Sequence, residues 1–333
     1  MMLQYGCRVL LPVAAAVTAL AFSGQAAAQA ANYPSKAIRI IVPFAPGGPN
    51  DILGRIVGQQ LNELWGRPAV IENRGGAGGT IGVDAGAKSA PDGYTIVMGG
   101  SSNLAVAPGL YAKLPYDPLR DLAPVANVAI VPYVLAVNPH VPARSVKELV
   151  AVARSKRGLL SYGSSGTGAM SHLAAELFKA ASGADIVHVP YKGTSPSVTD
   201  MIAGQIDMMF ADLAAVAPHA KVGKLRLLAT AGSKRSAAAP ELPTMAQAGV
   251  KGYAVDAWFG IVAPVATPKD IVAKLNAAVV EALADPVVRK RLAEVGLEIP
   301  PRDKQTPEAL AAHQQAEVKK WWPMIKAANI KVE

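Results

Sequence analysis

The sequence predicts an α/β protein of two domains, each a mostly parallel β-sheet flanked by helices. Apolar segments of strand length alternate along the chain with segments whose apolar residues recur at helical spacing, a pattern typical of parallel sheets covered on both faces. About 300 residues remain beyond an N-terminal targeting segment, enough for two domains of ordinary size. Two apolar stretches, residues 122–138 and 225–230, predict crossings between the domains. We expect residues 31–127 and 231–333 in domain 1, and residues 128–230 in domain 2.

The first 30 residues predict a signal peptide that is removed on export. Arg8 precedes an apolar run at residues 9–22, which is too short to span a membrane comfortably. The sequence AQA at residues 28–30 fits a small-x-small cleavage site, so that Ala31 begins the mature chain. No later segment has the pattern of a membrane span, and we expect the mature protein to be soluble.

Composition excludes several classes of function. The single cysteine, Cys7, lies in the targeting segment, so the mature chain has no disulfide, thiol nucleophile or zinc-thiolate site. The formal charge of +9 falls to +8 when Arg8 is removed, and this basic balance attracts anionic solutes or acidic surfaces. No basic run with interleaved aromatic residues is present, so nucleic acid is not an expected partner.

The first strand and helix predict a place where an anion could bind. Residues 38–42 form an apolar run of strand length, residues 44–48 a glycine-rich turn, and Pro49 suits the first position of a helix. Such a turn leaves unpaired backbone N–H groups at the helix start, where they favour an anion. Taken singly, such a turn is more often a plain connection between a strand and a helix.

Two further glycine-rich turns, at residues 72–82 and 163–168, favour the anion interpretation. A strand at residues 94–98 also ends in a polar segment, residues 99–103. Ligands of parallel sheets collect beyond the carboxyl ends of the strands, which is where all of these segments are expected. Other strands are predicted at residues 69–71, 159–162, 185–189, 206–210 and 253–263, and other helices at residues 83–90, 145–153, 173–178, 198–203, 213–219, 268–279, 286–295 and 307–325. Within the last helix, Trp321 and Trp322 are interpreted as a packed C-terminal anchor.

Motif tests indicate a binding protein without catalytic chemistry. Residues 163–167 miss the G-x-S-x-G pattern, because Thr167 stands where the second glycine belongs. The five histidines show no metal-ligand spacing, and His172 and His188 are interpreted as structural. No dinucleotide or nucleotide phosphate motif and no pair of acid and base carboxylates stands out. We therefore expect no catalytic residue, no metal and no cofactor, and a site rich in N–H and OH donors that binds a carboxylate.

Several motifs, in this order, resemble the periplasmic solute-binding proteins of tripartite tricarboxylate transporters, the Bug family. They are PFAPGGPND, ENRGGAGGTIG, GSSGTGAMSHLAAELF, HVPYKG and LPTMAQAGV, and the resemblance extends over the whole mature chain. It implies a periplasmic-binding-protein (type II) fold whose two lobes, hinged by two crossing strands, close like a Venus flytrap on a small organic carboxylate such as a dicarboxylate or an aromatic acid. It also implies a monomeric, periplasmic, non-enzymatic protein that delivers its cargo to two membrane permease subunits.

The resemblance also implies ligand-binding residues, carried over from matching motif positions. The ligand carboxylate is expected between the first loop and the glycine/serine loop of domain 2, with Tyr191 and Lys192 at the rim. For Lys192, a structural role is the equal alternative. The expected residues are Phe44, Ala45, Gly47, Gly48, Asn50, Gly79, Thr80, Ser164, Ser165, Thr167, Gly168 and Ser171. At the far end of the ligand they are Ser101, Ser102, Asp212 and residues 256–259, which include Trp258 and Phe259.

Two departures from the family pattern bear on the identity of the ligand. Residues 210–213 read FADL where an Asp-Asn pair is expected, and Asn50 replaces a threonine often found after Gly-Gly-Pro. If Asp212 faces the cleft it could accept an amino group, which favours an amino acid. If it faces a helix start it is a cap, and the cap is the preferred interpretation.

Two other functions stay open from the sequence. The same binding lobes could present a carboxylate to the ectodomain of a signalling receptor, because both roles use surfaces outside the cleft. A secreted hydrolase is the third hypothesis, and it predicts that replacing Ser165 abolishes turnover.

Overall fold

The computed structural model describes residues 33–155, 158–294, 296–327 and 330, and the predicted signal peptide lies outside these residues. The described chain forms two five-stranded sheets with helices packed against them. Its strands are β1 (Ile38–Val42), β2 (Ala69–Asn73), β3 (Thr95–Gly100), β4 (Leu122–Val131), β5 (Tyr133–Val137), β6 (Leu160–Ser164), β7 (Ile186–Pro190), β8 (Met208–Asp212), β9 (Arg226–Thr230) and β10 (Ala257–Pro264). Its α-helices are α1 (Pro49–Trp65), α2 (Thr80–Ala87), α3 (Ala107–Leu110), α4 (Val146–Ser155), α5 (Met170–Ser182), α6 (Thr194–Ile202), α7 (Leu213–Lys221), α8 (Lys269–Ala284), α9 (Pro286–Glu294) and α10 (Pro307–Ala327).

Both sheets are mixed, with strand orders β2-β1-β3-β10-β4 and β7-β6-β8-β5-β9. In the first sheet β1 is parallel to β2 and β3, whereas β10 is antiparallel to β3 and β4. In the second sheet β6 is parallel to β7 and β8, whereas β5 is antiparallel to β8 and β9. The βα units therefore supply the parallel pairings, and the strands next to the crossings supply the antiparallel ones.

Two crossing segments connect the sheets side by side. Pro132 separates β4 from β5, so the long apolar stretch forms two strands, as expected of a proline that can donate no ladder hydrogen bond. The return crossing lies beside it, because the N–H of Ala231 donates to the carbonyl of Tyr133 at 2.8 Å. The N–H of Val255 donates to the carbonyl of Ala231, also at 2.8 Å. Residues 253–255 thus belong to the crossing, and β10 begins later than predicted.

We refer to the first sheet with its helices as the first lobe and to the second sheet with its helices as the second lobe. The exchange between sheets falls at Pro132, and residues 128–131 lie in β4 of the first sheet. The domain boundaries expected from the sequence, including the one at residue 127/128, stay a prediction.

Burial follows the predicted helical and strand periodicities. Ile40, Ile41 and Val42 of β1 are fully buried, as expected for a strand covered on both faces. The buried apolar face of α1 carries the residues that recur at helical spacing, Leu53, Ile56, Val57 and Leu61.

The C-terminal helix α10 packs on the first lobe. Trp321 is fully buried and its indole N–H donates to Glu317 at 2.7 Å. Trp322 donates to the carbonyl of Ala105 at 3.1 Å. These contacts agree with the interpretation of the tryptophan pair as an anchor. Among the described residues, no helix is both long and apolar enough to cross a membrane.

Candidate ligand-binding site

A cavity of about 450 Å³, including its mouth, lies between the two lobes. It is found where the carboxyl ends of β3, β6 and β8 meet, the position expected for a ligand of parallel strands. The first lobe contributes Phe44, Gly48, Pro49, Asn50, Gly100, Ser101, Ser102, Asn103, Ala257, Trp258 and Phe259, and the second lobe contributes Tyr133, Ser165, Met170, Thr194 and Asp212.

Four helices begin at this cavity. Pro49, Met170 and Thr194 are the first residues of α1, α5 and α6, and Asp212 immediately precedes α7. Helix N-termini carry partial positive charge and free N–H groups, so their convergence favours an anionic group. No lysine, arginine or histidine is among the residues that line the cavity. Helix ends and neutral donors therefore replace a basic side chain here.

Buried polar atoms without a partner concentrate in this cavity. They are both amide atoms of Asn50, Nδ2 of Asn103, Nε1 of Trp258 and Oδ1 of Asp212. All four residues are buried, and Asn103 has no exposed surface at all. Buried polar groups are nearly always paired in folded proteins, because an unpaired one costs about 1–3 kcal/mol. Such a concentration of unpaired atoms is what a site for a polar ligand requires.

Asp212 faces the cavity and does not cap a helix. Its carboxylate makes no capping hydrogen bond to α7, so the preferred interpretation from the sequence is wrong. Oδ2 instead accepts a hydrogen bond from the Thr194 hydroxyl at 3.1 Å, and the Tyr133 hydroxyl also faces the carboxylate. Burial raises the pKa of Asp212 to about 6, although the hydrogen bond from Thr194 acts in the opposite direction.

The serine hydroxyls predicted to bind the ligand hold the loops together. Ser101 Oγ accepts the N–H of Trp258 at 2.8 Å, and Ser165 Oγ lies 3.0 Å from Ser171 Oγ. Ser102 Oγ accepts the N–H of Met170 at 2.9 Å, so this hydroxyl from the first lobe occupies a donor at the start of α5. Ser101, Ser102 and Ser165 line the cavity, and the hydroxyl oxygen of each already has a hydrogen-bond partner within the protein.

Other predicted residues form the contact between the lobes. The N–H of Ala45 donates to the carbonyl of Lys192 at 3.1 Å, whereas the Lys192 side chain is exposed. The Tyr111 hydroxyl donates to the carbonyl of Thr167 at 2.8 Å. Gly168 lies so close to Tyr111 that a Cβ there would be 2.6 Å from the hydroxyl oxygen. These residues position the lobes against each other at the edge of the cavity.

The remaining predicted residues lie outside the cavity lining. Gly47 donates to the Asp51 carboxylate at 2.9 Å, Thr80 donates to the carbonyl of Ala77 at 2.9 Å, and Tyr191 donates to Asp200 at 2.7 Å. Gly79 has a φ of +94° and lies against Asn103, where a Cβ would be 2.5 Å from Nδ2. The absence of a side chain at Gly79 thus makes room for the amide that faces the cavity.

The histidines next to the glycine/serine loop are structural. His188 stacks between Tyr162 and His172, with ring centroids at 4.8 and 4.3 Å, and its Nε2 lies 2.7 Å from Ser164 Oγ. His172 Nδ1 accepts the N–H of Gly168 at 3.2 Å. Burial lowers the pKa of His188 to about 4 and also lowers the pKa of His172, so both rings are neutral near pH 7. This agrees with the structural interpretation of both histidines.

Sequence reasoning missed six residues of the lining: Pro49, Gly100, Asn103, Tyr133, Met170 and Thr194. Two signals could have found some of them. Thr194 follows Gly193 at the start of a helix after a strand, and Tyr133 is a hydroxyl-bearing residue within an apolar crossing. Within the described residues, no cluster of His, Cys, Asp and Glu could hold a metal ion.

The fold and the site define a two-lobed solute-binding protein. Residues 53–330 match the model of the tripartite tricarboxylate transporter family receptor. The protein BugT of Bordetella pertussis is 37% identical over 316 residues, which are 94% of this chain and 96% of BugT. The chain belongs to this family of periplasmic binding receptors, which is not an enzyme family.

Two solved structures are closely similar. MatC from Rhodopseudomonas palustris with bound malate has a TM-score of 0.85 and 34% identity, over 88% of this chain and 100% of MatC. The R. palustris protein Rpa4515 with adipate has a TM-score of 0.85 and 36% identity, over 90% of this chain and 100% of that one. Both likenesses confirm the two-lobed α/β fold predicted from the sequence.

Proposed function

We propose that this protein is an exported, monomeric carrier that captures a small organic carboxylate between its lobes in the periplasm. It would deliver that solute to the membrane subunits of a tripartite tricarboxylate-type transporter. The residues that bind the solute are those of the cavity, chiefly Asn50, Asn103, Trp258 and Asp212 together with the helix starts around them.

One observation carries this proposal. Unpaired buried amide donors of Asn50 and Asn103 lie in a cavity at which four helices begin. Amide N–H groups and helix N-termini are suited to a carboxylate, because they donate charge-assisted hydrogen bonds without an ion pair. The acids named with the two related structures, malate and adipate, support the same class of ligand.

A thermal-shift screen with mono-, di- and aromatic carboxylates tests the proposal. A ligand at 100 times its Kd stabilises the folded protein by about 2.7 kcal/mol, which corresponds to a rise in Tm of about 5 °C for a protein of this size. Asn50→Ala should reduce the shift. Asn62→Ala is the matched control, because Asn62 is an exposed residue of the same helix. A screen in which no acid raises Tm contradicts carboxylate capture.

A further inference from the structure

We propose that the solute carries a protonated nitrogen as well as a carboxylate, and that Asp212 selects for that nitrogen. The chemical class is therefore the zwitterionic amino carboxylates, such as amino acids. This inference rests on the proposed function, because the ligand carboxylate comes from that proposal and the inference adds only the protonated nitrogen that contacts Asp212.

Asp212 brings into the cavity a carboxylate that has no basic side chain as a partner among the lining residues. The side chain is 3% exposed and Oδ1 has no hydrogen-bond partner. The groups that face the carboxylate are neutral, namely the hydroxyls of Thr194 and Tyr133 and the backbone N–H of Asp212. The cavity lining contains no basic side chain that could pair with it. A buried carboxylate is costly without such a partner, and an ammonium group from the ligand would supply one.

The two lobes contribute different kinds of unpaired polar atoms to the cavity. The first lobe supplies three unpaired donors, Asn50 Nδ2, Asn103 Nδ2 and Trp258 Nε1, and one unpaired amide acceptor, Asn50 Oδ1. Among the described residues of the lining, the unpaired atom from the second lobe is a carboxylate acceptor, Asp212 Oδ1. A ligand that satisfies both walls needs an acceptor at one end and a donor at the other. A simple monocarboxylate leaves Asp212 unpaired, and a dicarboxylate that reaches it places two negative charges together.

The dependence of affinity on pH separates this inference from its main alternative. Burial raises the pKa of Asp212 to about 6, and the other titratable side chain of the lining, Tyr133, has its pKa raised well above the usual value by burial. An amino carboxylate binds the ionised form of Asp212, so its affinity should weaken between pH 7.5 and pH 5. A plain dicarboxylate would need the protonated form and should bind more tightly at pH 5 than at pH 7.5.

Calorimetric titration with matched pairs of ligands tests the inference. The probes are L-aspartate and succinate, L-glutamate and glutarate, L-phenylalanine and 3-phenylpropionate, and 4-aminobutyrate and butyrate. For at least one pair we expect the amino member to bind at least 10-fold more tightly at pH 7.5. Asp212→Asn should weaken that ligand about 10- to 100-fold, as expected for loss of a charge-assisted hydrogen bond. The same substitution should leave the affinity of the partner acid unchanged or raise it, because it removes a negative charge from the cavity. Asp185→Asn, at an exposed position just before β7, makes the same charge change outside the cavity and should have no effect.

The outcomes distinguish the two proposals. If the plain acids bind as tightly as their amino counterparts, or if Asp212→Asn leaves the ratio within each pair unchanged, the inference is overturned while carboxylate capture stands. If no acid of either kind binds, both are overturned. Should Asp212→Asn fail to fold by circular dichroism, the wild-type ratios and their pH trend decide the question alone.

Discussion

Tyr111→Phe should weaken solute binding although Tyr111 does not line the cavity. Tyr111 directly follows α3 in the first lobe, and its hydroxyl donates to the carbonyl of Thr167 in the second lobe at 2.8 Å. This hydrogen bond joins the two lobes, so it exists in the closed arrangement and is lost when they separate. Removing the hydroxyl therefore shifts the equilibrium towards the open form, to which the solute binds with fewer contacts.

The expected size of the effect follows from the chemistry of this one hydrogen bond. Burial raises the pKa of Tyr111 to about 12, so its hydroxyl stays protonated in any ordinary assay buffer. A neutral hydrogen bond contributes about 0.5–1.5 kcal/mol. If binding requires closure, this loss appears in the Kd, which should rise about 2- to 12-fold.

Calorimetric titration with the acid that gives the largest thermal shift measures this change. Tyr191→Phe is the matched control, because its hydroxyl bonds to Asp200 within the second lobe at 2.7 Å and should not influence closure. The reasoning is refuted if Tyr111→Phe binds like the wild type, or if Tyr191→Phe loses as much affinity.

Two further predictions concern the second lobe. Gly168→Val should abolish solute binding, because Gly168 has a φ of +80° and a Cβ there would collide with the Tyr111 hydroxyl. Circular dichroism should show that the fold persists. Gly223→Val is the control, because Gly223 has a similar φ of +74° with nothing within 4 Å of its Cβ position, and this variant should still bind the solute. Burial lowers the pKa of His188 to about 4 in the folded protein, whereas in the unfolded chain it is about 6.5. As the pH falls below about 6.5, His188 therefore binds a proton in the unfolded chain first, and the free energy of unfolding decreases towards pH 4. Because this ring is partly exposed, solvent screening limits the decrease in the free energy of unfolding to about 1–2 kcal/mol. Urea unfolding of the wild type and of His188→Gln at pH 7 and pH 4 measures this decrease, which should be smaller in the variant.

The elements and their turns could be predicted because they depend on local patterns. The apolar run of β1, the turn at residues 44–48 and Pro49 at the start of α1 were each recognised from neighbouring residues. The mixed pairing of the sheets could not be predicted in the same way. It depends on β10, which reaches the first sheet only after the chain has passed through the second.

The site was predicted at the level of loops but not of atoms. The sequence indicated that the Ser102 hydroxyl meets the ligand, yet its oxygen accepts the N–H of Met170, 68 residues away. Ser101 likewise bonds to Trp258, 157 residues away. The unpaired atoms of the lining belong to Asn50, Asn103, Trp258 and Asp212, of which Asn103 lies in the same segment as the two serines. Which polar group is already paired depends on contacts between residues far apart in the sequence, and no local pattern predicts them.

We expect the solute to drive closure of the lobes, because closure without it forms hydrogen bonds between the lobes but also buries polar atoms that have no partner. Among the described residues, the neutral hydrogen bonds that join the lobes include those between Ala45 and Lys192, Ser102 and Met170, and Tyr111 and Thr167. Together they contribute a few kcal/mol, at about 0.5–1.5 kcal/mol each. Closure without solute buries the unpaired atoms of Asn50, Asn103, Trp258 and Asp212, at a cost of about 1–3 kcal/mol for each group.

For these four residues the cost adds up to about 4–12 kcal/mol and exceeds the contribution of the hydrogen bonds between the lobes. The empty protein should therefore be largely open in solution, and the solute should favour closure by pairing the buried atoms. Small-angle scattering should then show a smaller radius of gyration when the acid that gives the largest thermal shift is added at saturating concentration. Tyr111→Phe should compact only at higher concentrations of that acid, because it lacks one of the closing hydrogen bonds. A radius of gyration that is the same with and without a tightly bound acid would show that the lobes do not move on binding. It would contradict the prediction that the solute drives closure by pairing the buried atoms.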